Sequence, residues 1–477
     1  MRTVFKRLTE LGLGMAALAI TTVTAAAPAG TAPPPVAEAR SVTAVIDDYV
    51  KAGLASNLAL ANQGLETQKS LAALAAARAR FFPEVGLSAR YTRADGGREI
   101  TVPVSQLLNP AYQTLNELLV ANGGTPRFPL LGDESFPLQL PREQDTRITL
   151  RQPLYAPAIP AALAAARAGA SAADFAQRGF ARQLRRDIAV AYLDWLRARN
   201  GERIMAASAA LLAENLRVNQ SLLANGKSTR DAVLRAEAEL LAVQQQQAET
   251  GNLATQAASY VNFLLNRPLD TPLDAGSFDA LATNPVGDAL EEATRAARLG
   301  RPELLQLEAA GRAAEAQLRS ARAARKPTLS LGVDAGTEGS DYGLGRKYNF
   351  TTASLVVNWT LFDGGARSAA VAGARLSAAQ LRNQQQQAAS RIELEVRQAY
   401  DNLHTATESV ATAQARAAAA RAAFTIASRR RDAGMASTLE FLDARSALTS
   451  AELNENQTRC QLLQRRFEYD FARGDPP

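Results

Sequence analysis

The sequence predicts a mainly α-helical chain with a membrane β-barrel portion, built from a duplicated unit of two strands and a long helical hairpin. Three observations predict it. Strand-like segments alternate apolar and polar residues, very long helical segments follow them directly, and both features occur a second time further along the chain. Repetition of a whole unit at a fixed spacing fixes an architecture more firmly than any single motif does.

The clearest strand lies between Thr351 and Leu361. From Thr352 onwards its residues alternate between polar and apolar, with Val356 as the one exception. A period of two places one face of a strand in an apolar medium and the other face in water. Asp363, Gly364 and Gly365 follow as the strand–helix turn, with Asp363 as the cap of the next helix.

The helix after this turn carries the apolar seam of a coiled coil. Its seam residues are spaced by four and three positions, as helix–helix packing requires. They are Ile392, Val396, Ala399, Leu403, Ala406, Val410 and Ala413. A strand suited to a membrane therefore continues directly into a coiled-coil helix.

The same unit occurs earlier in the chain. Gly226 and Gly434 are 208 residues apart, and Leu154 and Leu361 are 207 residues apart. At the offset of 208, an earlier seam falls on the first five seam residues of the later helix; it consists of Leu184, Ile188, Ala191, Trp195 and Ala198. At the offset of 207, Ile148 falls on Leu355, so both copies should point the same strand face in the same direction. We interpret this as an internal duplication.

Composition excludes several classes of protein. Of 477 residues, 47% are apolar and 21% are charged, which is well outside the disordered class. The chain has one Cys and one His, so a disulfide framework, a cysteine metal cluster and a pair of histidine ligands are excluded. A formal charge of +6 is too modest to indicate nucleic-acid binding. The sequence has no phosphate loop and no nucleophile–base set, so we expect no enzyme, no cofactor and no metal site.

The N-terminus is typical of a secretory signal peptide at residues 1–27. Basic residues precede an apolar run from Leu11 to Ile20, and small residues follow it up to Ala27. No Cys follows the predicted cleavage point, so we expect no lipid at the mature N-terminus. Residues 28–44 are predicted to be an extended N-terminal segment.

Two structural repeats make up the mature chain, at residues 45–266 and 289–472. A linker is predicted at 267–288 and a C-terminal tail at 473–477. Each repeat opens with a predicted helix, Val45–Arg80 or Leu290–Arg325, and a proline and a strand follow each helix.

The loop between the two strands differs between the repeats. The offset between them falls from 244 residues before the loop to 207 after it, so the first repeat has 37 extra residues within 94–145. Several prolines and a short predicted helix at Tyr112–Ala121 lie there. Long loops of this kind are either exposed and functional or poorly ordered. In a barrel, we expect this loop on the outside of the cell.

Each repeat then continues as a helical hairpin. Helices are predicted at Pro157–Ala224 and Gly364–Arg431, with a bend or break near Arg199–Glu202 where Asn200 and Gly201 disrupt the first. Tip turns are predicted near 225–228 and 432–437, with Gly stopping one helix and Ser capping the next. The returning helices end near residues 263 and 471. Both tips should lie far from the strands.

Four strands per chain cannot span a bilayer, because unpaired backbone groups are costly in hydrocarbon. The chain must therefore oligomerise. Three copies give a twelve-stranded barrel and pack the hairpins into a helical tube. Aromatic residues predicted to lie at the interfaces are Phe81, Phe82, Tyr155, Phe350, Trp359 and Phe362.

The sequence resembles the outer-membrane efflux protein family, the TolC-like channels. The resemblance rests on Ala321–Ala324 before Pro327, on the turn from Leu361 to Gly365, and on the two tips. The first repeat departs from this pattern at Tyr155-Ala156-Pro157, where the Gly pair is absent. Members of the family are trimeric outer-membrane conduits that cross the periplasm and meet an adaptor and an inner-membrane pump.

The resemblance implies a passive exit duct of a tripartite efflux or type I secretion system, opened when an adaptor docks at the tips. It implies a homotrimer in outer-membrane lipid, with a periplasmic adaptor and an inner-membrane pump as partners and no nucleic acid. The expected adaptor contacts are Leu223, Asn225, Gly226, Lys227, Ser228, Arg431, Gly434, Met435, Ala436 and Ser437.

Two other classes of protein stay open on the sequence alone. A periplasmic coiled-coil adaptor would have one hairpin and a separate lipoyl-like or barrel domain, and a secreted structural coiled coil would leave the strands unexplained. We expect His404 and Cys460 to be ordinary helix residues. Arg429–Arg431 could contact an adaptor, belong to a gate, or complement the helix dipole.

Overall fold

The computed structural model describes residues 40–278, 289–343 and 345–475. The predicted signal peptide, the start of the extended segment and part of the predicted linker lie outside these residues. The elements that follow are all within the described part of the chain.

The described chain contains two repeats of the same succession of elements. Each repeat has a broken helix, two long strands and a hairpin of two long helices. In the first repeat these are α1 (Val42–Ser56), α2 (Leu58–Ala79), β1 (Glu84–Arg93), β2 (Glu99–Val102), α3 (Val104–Ala121), β3 (Glu134–Pro137), β4 (Arg142–Tyr155), α4 (Ala158–Ala224) and α5 (Arg230–Leu264). In the second they are α6 (Leu290–Gly300), α7 (Pro302–Ala323), β5 (Thr328–Gly339), β6 (Asn349–Asn358), α8 (Ala366–Asp432) and α9 (Thr438–Arg473).

The opening helix of each repeat is broken, so the prediction of one continuous helix was wrong in both. The breaks lie at Asn57 and at Arg301, which are 244 residues apart and therefore equivalent. Asn57 ends α1 and caps α2, because its Oδ1 accepts from the Leu60 amide at 3.0 Å. In the second repeat Pro302 begins α7, as proline favours the first turn of a helix. Asn57 is not a strong helix breaker, which is why its sequence signal is weak.

The core consists of two equivalent clusters, one in each repeat. In the first, α1 packs against the middle of α4 and the end of α5, with Ile188 and Val261 fully buried. In the second, α6 packs against α8 and α9, where Val396 and Tyr469 occupy the equivalent positions 208 residues later. The predicted seams are buried on both long helices, apart from Ala198 and Ala406, which are half-buried. The duplication is therefore confirmed in the packing.

The long helix α4 runs through the predicted break without interruption. It has 67 residues, as does α8, and each extends about 100 Å at 1.5 Å per residue. Gly201 is buried, and a Cβ added there would come within 3.2 Å of Thr250 Cγ2 on α5. Close packing of neighbouring helices thus explains this glycine and outweighs its poor helix propensity. The described helices include none long and apolar enough to cross a bilayer.

The four long strands form one antiparallel sheet in the order β1-β4-β5-β6. Strand β6 ends at Asn358, three residues before the end of the predicted strand. The reason is its partner: β5 begins at Thr328, which pairs with Asn358, so the ladder has no further residues to continue. The Trp359 indole instead donates to the Arg325 carbonyl at 3.2 Å.

The long loop of the first repeat is folded, contrary to a simple loop prediction. Strands β2 and β3 pair as a small separate sheet. Helix α3 begins eight residues before the short helix predicted at Tyr112. Residues 94–141 therefore form a substructure of their own, which we call the insert.

Candidate functional site

One face of the four-stranded sheet is apolar and exposed in the single chain. Directly paired residues share a face, and the pairs Leu87–Ile148 and Leu331–Leu355 lie on the same one. Leu87 is 74% exposed and Leu355 is 67% exposed. As predicted, the strands of both repeats point their apolar face in one direction.

The opposite face of the sheet is polar and carries a row of ion pairs. Arg90 Nη2 lies 3.7 Å from Asp145 Oδ2 and 3.8 Å from Glu143 Oε1. Arg147 Nε donates to Asp145 Oδ1 at 2.7 Å, and its Nη2 lies 4.0 Å from Glu338 Oε2. These charges join three of the four strands across the sheet.

The aromatic residues predicted at the membrane interfaces do not all lie there. Phe81, Phe82, Tyr155 and Trp359 are exposed near the helical end of the sheet, as an interfacial girdle requires, and so is Phe362. Phe350 is different, because it lies on the polar face, where the Arg147 guanidinium is 5.5 Å from its ring centre. The girdle prediction was therefore wrong for Phe350.

The strand–helix turn of the second repeat is built by one aspartate and two glycines. Gly364 and Gly365 have φ angles of 63° and 93°, which favour glycine. Asp363 caps α8, since its carboxylate accepts from the Gly365 amide at 3.1 Å and the Arg367 amide at 3.0 Å. The Arg367 side chain also bonds Asp363 Oδ2 at 2.6 Å, and these interactions lower the pKa of Asp363. In the first repeat, Pro157 stands at the corresponding helix start.

Both tips have the same backbone structure. Gly226 and Gly434 adopt φ angles of 67° and 73°, and each stops a long helix in a Schellman motif. Lys227 N donates to Leu222 O at 2.8 Å, and Met435 N donates to Arg430 O at 2.7 Å. Two identical helix stops, 208 residues apart, thus form the tips of the two hairpins.

The caps of the returning helices differ from the prediction in one case. Ser437 caps α9, where its Oγ accepts from the Glu440 amide at 3.2 Å, as predicted. In the first repeat, Thr229 caps α5 instead of Ser228, with a bond of 3.4 Å from the Ala232 amide. Thr229 is the residue 208 positions before Ser437, so the repeat spacing identifies the correct cap.

The predicted tip residues are exposed or half-buried on the surface of the two turns. Met435 is 66% exposed, and Leu223, Asn225 and Lys227 are also exposed. Ser228, Arg431 and Ala436 are half-buried. The turns thus present a mixture of apolar, polar and basic groups.

A small core below the tips joins the two hairpins. Phe441 on α9 is 1% exposed and packs with Leu212 on α4. Residues of α5 and α8 pack against this pair, including Leu240 and Phe424, whose ring centre lies 5.5 Å from that of Phe441. All four long helices therefore meet in one cluster.

A polar connection between the hairpins lies beside this core. Arg431 Nη1 donates to Asn215 Oδ1 on α4 at 3.0 Å, and the guanidinium lies 3.7 Å from the Phe441 ring centre. Deeper along the helices, Arg445 Nε donates to Ser208 Oγ at 3.3 Å. Burial lowers the pKa of Arg445. We call the contact between Arg431 and Asn215 the hairpin link.

Sequence reasoning named Arg431 but missed Asn215 and Arg445. Asn215 is 2% exposed, and it stands on the same buried face of α4 as Leu212 and Asn219. A polar residue at a buried seam position is the signal that could have identified it, because such residues are kept when they have partners.

The remaining predicted residues have ordinary surroundings. His404 is exposed, and its Nδ1 lies 3.8 Å from Glu408 one turn away. Cys460 is fully buried, and burial raises the pKa of its thiol to about 12. Among the described residues, no cluster of three or more His, Cys, Asp or Glu side chains could hold a metal ion.

Comparison with known proteins places these surfaces in context. Residues 293–468 match the family model of the outer membrane efflux protein. The matched residues span most of the second repeat, which contains the strand–helix turn and the Arg431 tip. A search of curated proteins found no match.

Solved structures match nearly the whole chain. The Campylobacter jejuni CmeC outer membrane channel is 16% identical, with a TM-score of 0.76 over 94% of this chain and 90% of that one. The outer membrane protein VceC from Vibrio cholerae is 15% identical, with a TM-score of 0.72 over 91% and 97%. The open state of the Neisseria gonorrhoeae MtrE outer membrane channel is 17% identical, with a TM-score of 0.71 over 90% and 89%. The chain therefore has the fold of these proteins.

Proposed function

We propose that this chain is an outer membrane efflux protein, because its second repeat matches that family and its whole fold matches outer-membrane channels, and that it is a passive exit duct across the outer membrane and periplasm. It serves a tripartite efflux or type I secretion system. Energy and choice of cargo come from an inner-membrane pump, and a periplasmic adaptor joins the pump to the duct.

The observation that carries this proposal is the four-stranded sheet. Its apolar face exposes Leu87, Leu355 and Val357, and its polar face holds the ion pairs of Arg90 and Arg147. A sheet with one apolar and one charged face suits a barrel wall between lipid and a water-filled pore. We place the apolar face against lipid and the charged face in the pore.

The edges of the sheet support assembly as a homotrimer. Strands β1 and β6 each pair with one neighbour within the described chain, and each has a free edge. Unpaired backbone groups cost several kcal/mol each in hydrocarbon, so a membrane sheet must close on itself. Strand β6 runs towards the helices and β1 runs away from them, so β6 of one copy can pair antiparallel with β1 of the next. Three copies close a barrel of twelve strands.

The long helices extend this barrel into the periplasm. Each 67-residue helix begins within a few residues of the sheet and reaches about 100 Å from it. Six hairpins from three chains would surround one continuous path. The tips then lie at the end facing the inner membrane, where an adaptor meets the exposed turns at Leu223 to Ser228 and Arg431 to Ser437.

We propose that the duct opens at this end by separation of the hairpins. The hairpin link and the Phe441 core hold the two hairpins of a chain together below the tips. An adaptor that binds better to separated tips would shift the population towards the open packing. The free energy for that shift is the difference between the adaptor's binding to the turns in the open packing and in the closed packing.

The adaptor alternative has less support from the structure. A periplasmic adaptor would need a separate lipoyl-like or barrel domain, whereas the described residues form two strand-and-hairpin repeats. Its single hairpin would also leave the shared four-stranded sheet without a role.

Expression with the native leader, followed by membrane fractionation and a planar-bilayer measurement, tests the proposal. The expected result is a trimer that is extracted from the outer membrane by detergent and forms water-filled channels. A water-soluble monomer in the periplasm, or a trimer without conductance after removal of the hairpin link, would contradict the proposal.

A further inference from the structure

The insert of residues 94–141 has no buried side chain of its own. It exposes twelve large apolar side chains, a density that usually marks an interaction surface. They are Ile100, Val102, Leu107, Leu108, Leu115, Leu118, Val120, Phe128, Leu130, Phe136, Leu138 and Leu140. The insert is nevertheless ordered, so polar contacts rather than a core hold it together in the single chain.

These polar contacts fix one face of α3 against the segment that follows it. Asn109 bonds the backbone of Leu131 twice, at 2.8 Å from its Nδ2 and 2.8 Å to its Oδ1. Asn116 makes equivalent bonds with the Phe128 backbone at 2.7 and 3.1 Å. The Tyr112 ring, between the two asparagines, lies 5.3 Å from the Phe128 ring. The orientation of α3 within the insert is therefore defined.

A second face of α3 carries an apolar stripe that this orientation leaves exposed. The stripe consists of Leu107, Leu108, Ala111, Leu115 and Leu118. Leu108, Ala111, Leu115 and Leu118 are spaced by three, four and three residues, the spacing of a coiled-coil seam. Gln113 and Glu117 lie on the opposite side of the helix. This is the pattern of a helix that packs against another helix.

We propose that the α3 stripe docks on α3 of a second copy of this chain, so that three α3 helices close over the outer mouth of the duct. The inference rests on the proposed trimer. The insert leaves the sheet from β1, the edge strand that pairs with the next copy, so its root stands at the boundary between protomers. Each copy supplies one apolar stripe, and a threefold axis brings three of them together.

The composition of α3 favours a helix over lipid as the occupant. Helices that lie on a membrane surface are rich in Lys and Arg on their polar face, which hold anionic headgroups. Helix α3 has no Lys or Arg between Val104 and Ala121, and Glu117 is its one charged residue. Against an anionic surface that charge is unfavourable, whereas in a three-helix cap it can face water.

Cysteine cross-linking in the assembled protein tests this contact. Leu115→Cys places a thiol in the stripe, and the matched control Gln113→Cys places one roughly 160° around the same helix. The native Cys460 is fully buried, so the unmodified protein serves as the blank. Detergent-solubilised trimers are treated with a short bifunctional maleimide, and the product is read by denaturing electrophoresis. Leu118→Cys repeats the test at a second position of the stripe.

The expected result is a shift of most of the Leu115→Cys and Leu118→Cys bands to the mass of two linked chains, with the Gln113→Cys band unchanged. Equal linking of all three variants, or none, in protein that is trimeric by mass would overturn the α3 contact and leave the proposed duct intact. If Leu115→Cys is not cross-linked but is shielded from a soluble maleimide only in lipid, the stripe contacts lipid. That result would also overturn the α3 contact. Monomeric protein would refute the trimer itself.

Discussion

Replacement of Arg431 by alanine tests whether the hairpin link holds the duct closed. The substitution removes two contacts with other helices, the 3.0 Å bond to Asn215 and the 3.7 Å contact with the Phe441 ring, together with the local ion pair to the exposed Asp432 at 3.2 Å. Asn215, which is 2% exposed, then keeps one side-chain donor to its Oδ1, the Asn219 Nδ2 at 3.2 Å. The backbone of the tip turn should stay the same, because residue 431 contributes its main-chain carbonyl to that turn whatever its side chain.

The size of the effect follows from these two contacts. A hydrogen bond from a charged donor contributes about 1.5–3 kcal/mol, and a cation–π contact contributes about 0.5–2 kcal/mol. The Arg431 side chain is 25% exposed, so solvent screening puts the sum near the low end of these ranges. We expect the closed packing of each chain to lose about 2 kcal/mol, which changes the ratio of joined to separated hairpins in that chain roughly 30-fold.

Single-channel recording in a planar bilayer measures this ratio. Arg431→Ala should raise the open fraction without an adaptor, and Arg431→Lys should have a smaller effect because it keeps the charge but loses the planar donor group. Arg429→Ala is the matched control, since it removes an exposed positive charge from the same helix end and leaves the link in place. An open fraction that is unchanged in Arg431→Ala, or raised equally in Arg429→Ala, would refute the assignment of the link as a gate element.

Two further predictions concern buried groups away from the tips. Cys460 should resist thiol reagents in the native protein at pH 8 and react fully after unfolding, because burial raises its pKa to about 12. Mass spectrometry measures the modification. Fast labelling of the native protein would contradict the buried position of Cys460. Burial disfavours ionisation of Glu303, but hydrogen bonds and the charge of Arg301 outweigh burial and lower its pKa. Its stabilising contribution is therefore full above the unfolded-state pKa and is lost as the pH falls through the lowered native pKa. Glu303→Gln should be less stable at neutral pH and should lose less stability on acidification; unfolding by circular dichroism at a series of pH values measures this, with exposed Glu308→Gln as the unaffected control.

The parts of the fold that sequence predicted well are those with a regular period. Alternation along the strands and the heptad seam of α8 each involve many residues, so a single exception such as Val356 does not hide the pattern. The offset of 208 residues then transfers the seam from α8 to α4. The same offset would have identified Thr229 as the cap of α5, because Ser437 caps α9 at the matching position.

The parts that sequence predicted poorly depend on contacts between distant residues. Gly201 suggested a break in α4, but its closeness to Thr250 on α5 makes it a packing residue. The break at Asn57 depends on its side chain reaching the Leu264 carbonyl on α5, 207 residues away. Neither of these two contacts has a local signature. Phe350 is different, because it is in phase with Thr352 and Ser354 along the strand, so the alternation itself places it on the polar face with Arg147.

The hairpin link also shows where the two repeats have ceased to be equivalent. Leu223 stands 208 residues before Arg431, and Ala423 stands 208 residues after Asn215, so the repeat-related pair is apolar and cannot form a second link. In the proposed trimer, a polar contact therefore joins the two hairpins within one chain. The repeat-related contact, between hairpins of neighbouring chains, has no such polar bond. A tube of six similar hairpins thus contains only three such links, one in each chain. Because the three are identical by symmetry, an adaptor that breaks one type of contact acts on the whole closed end.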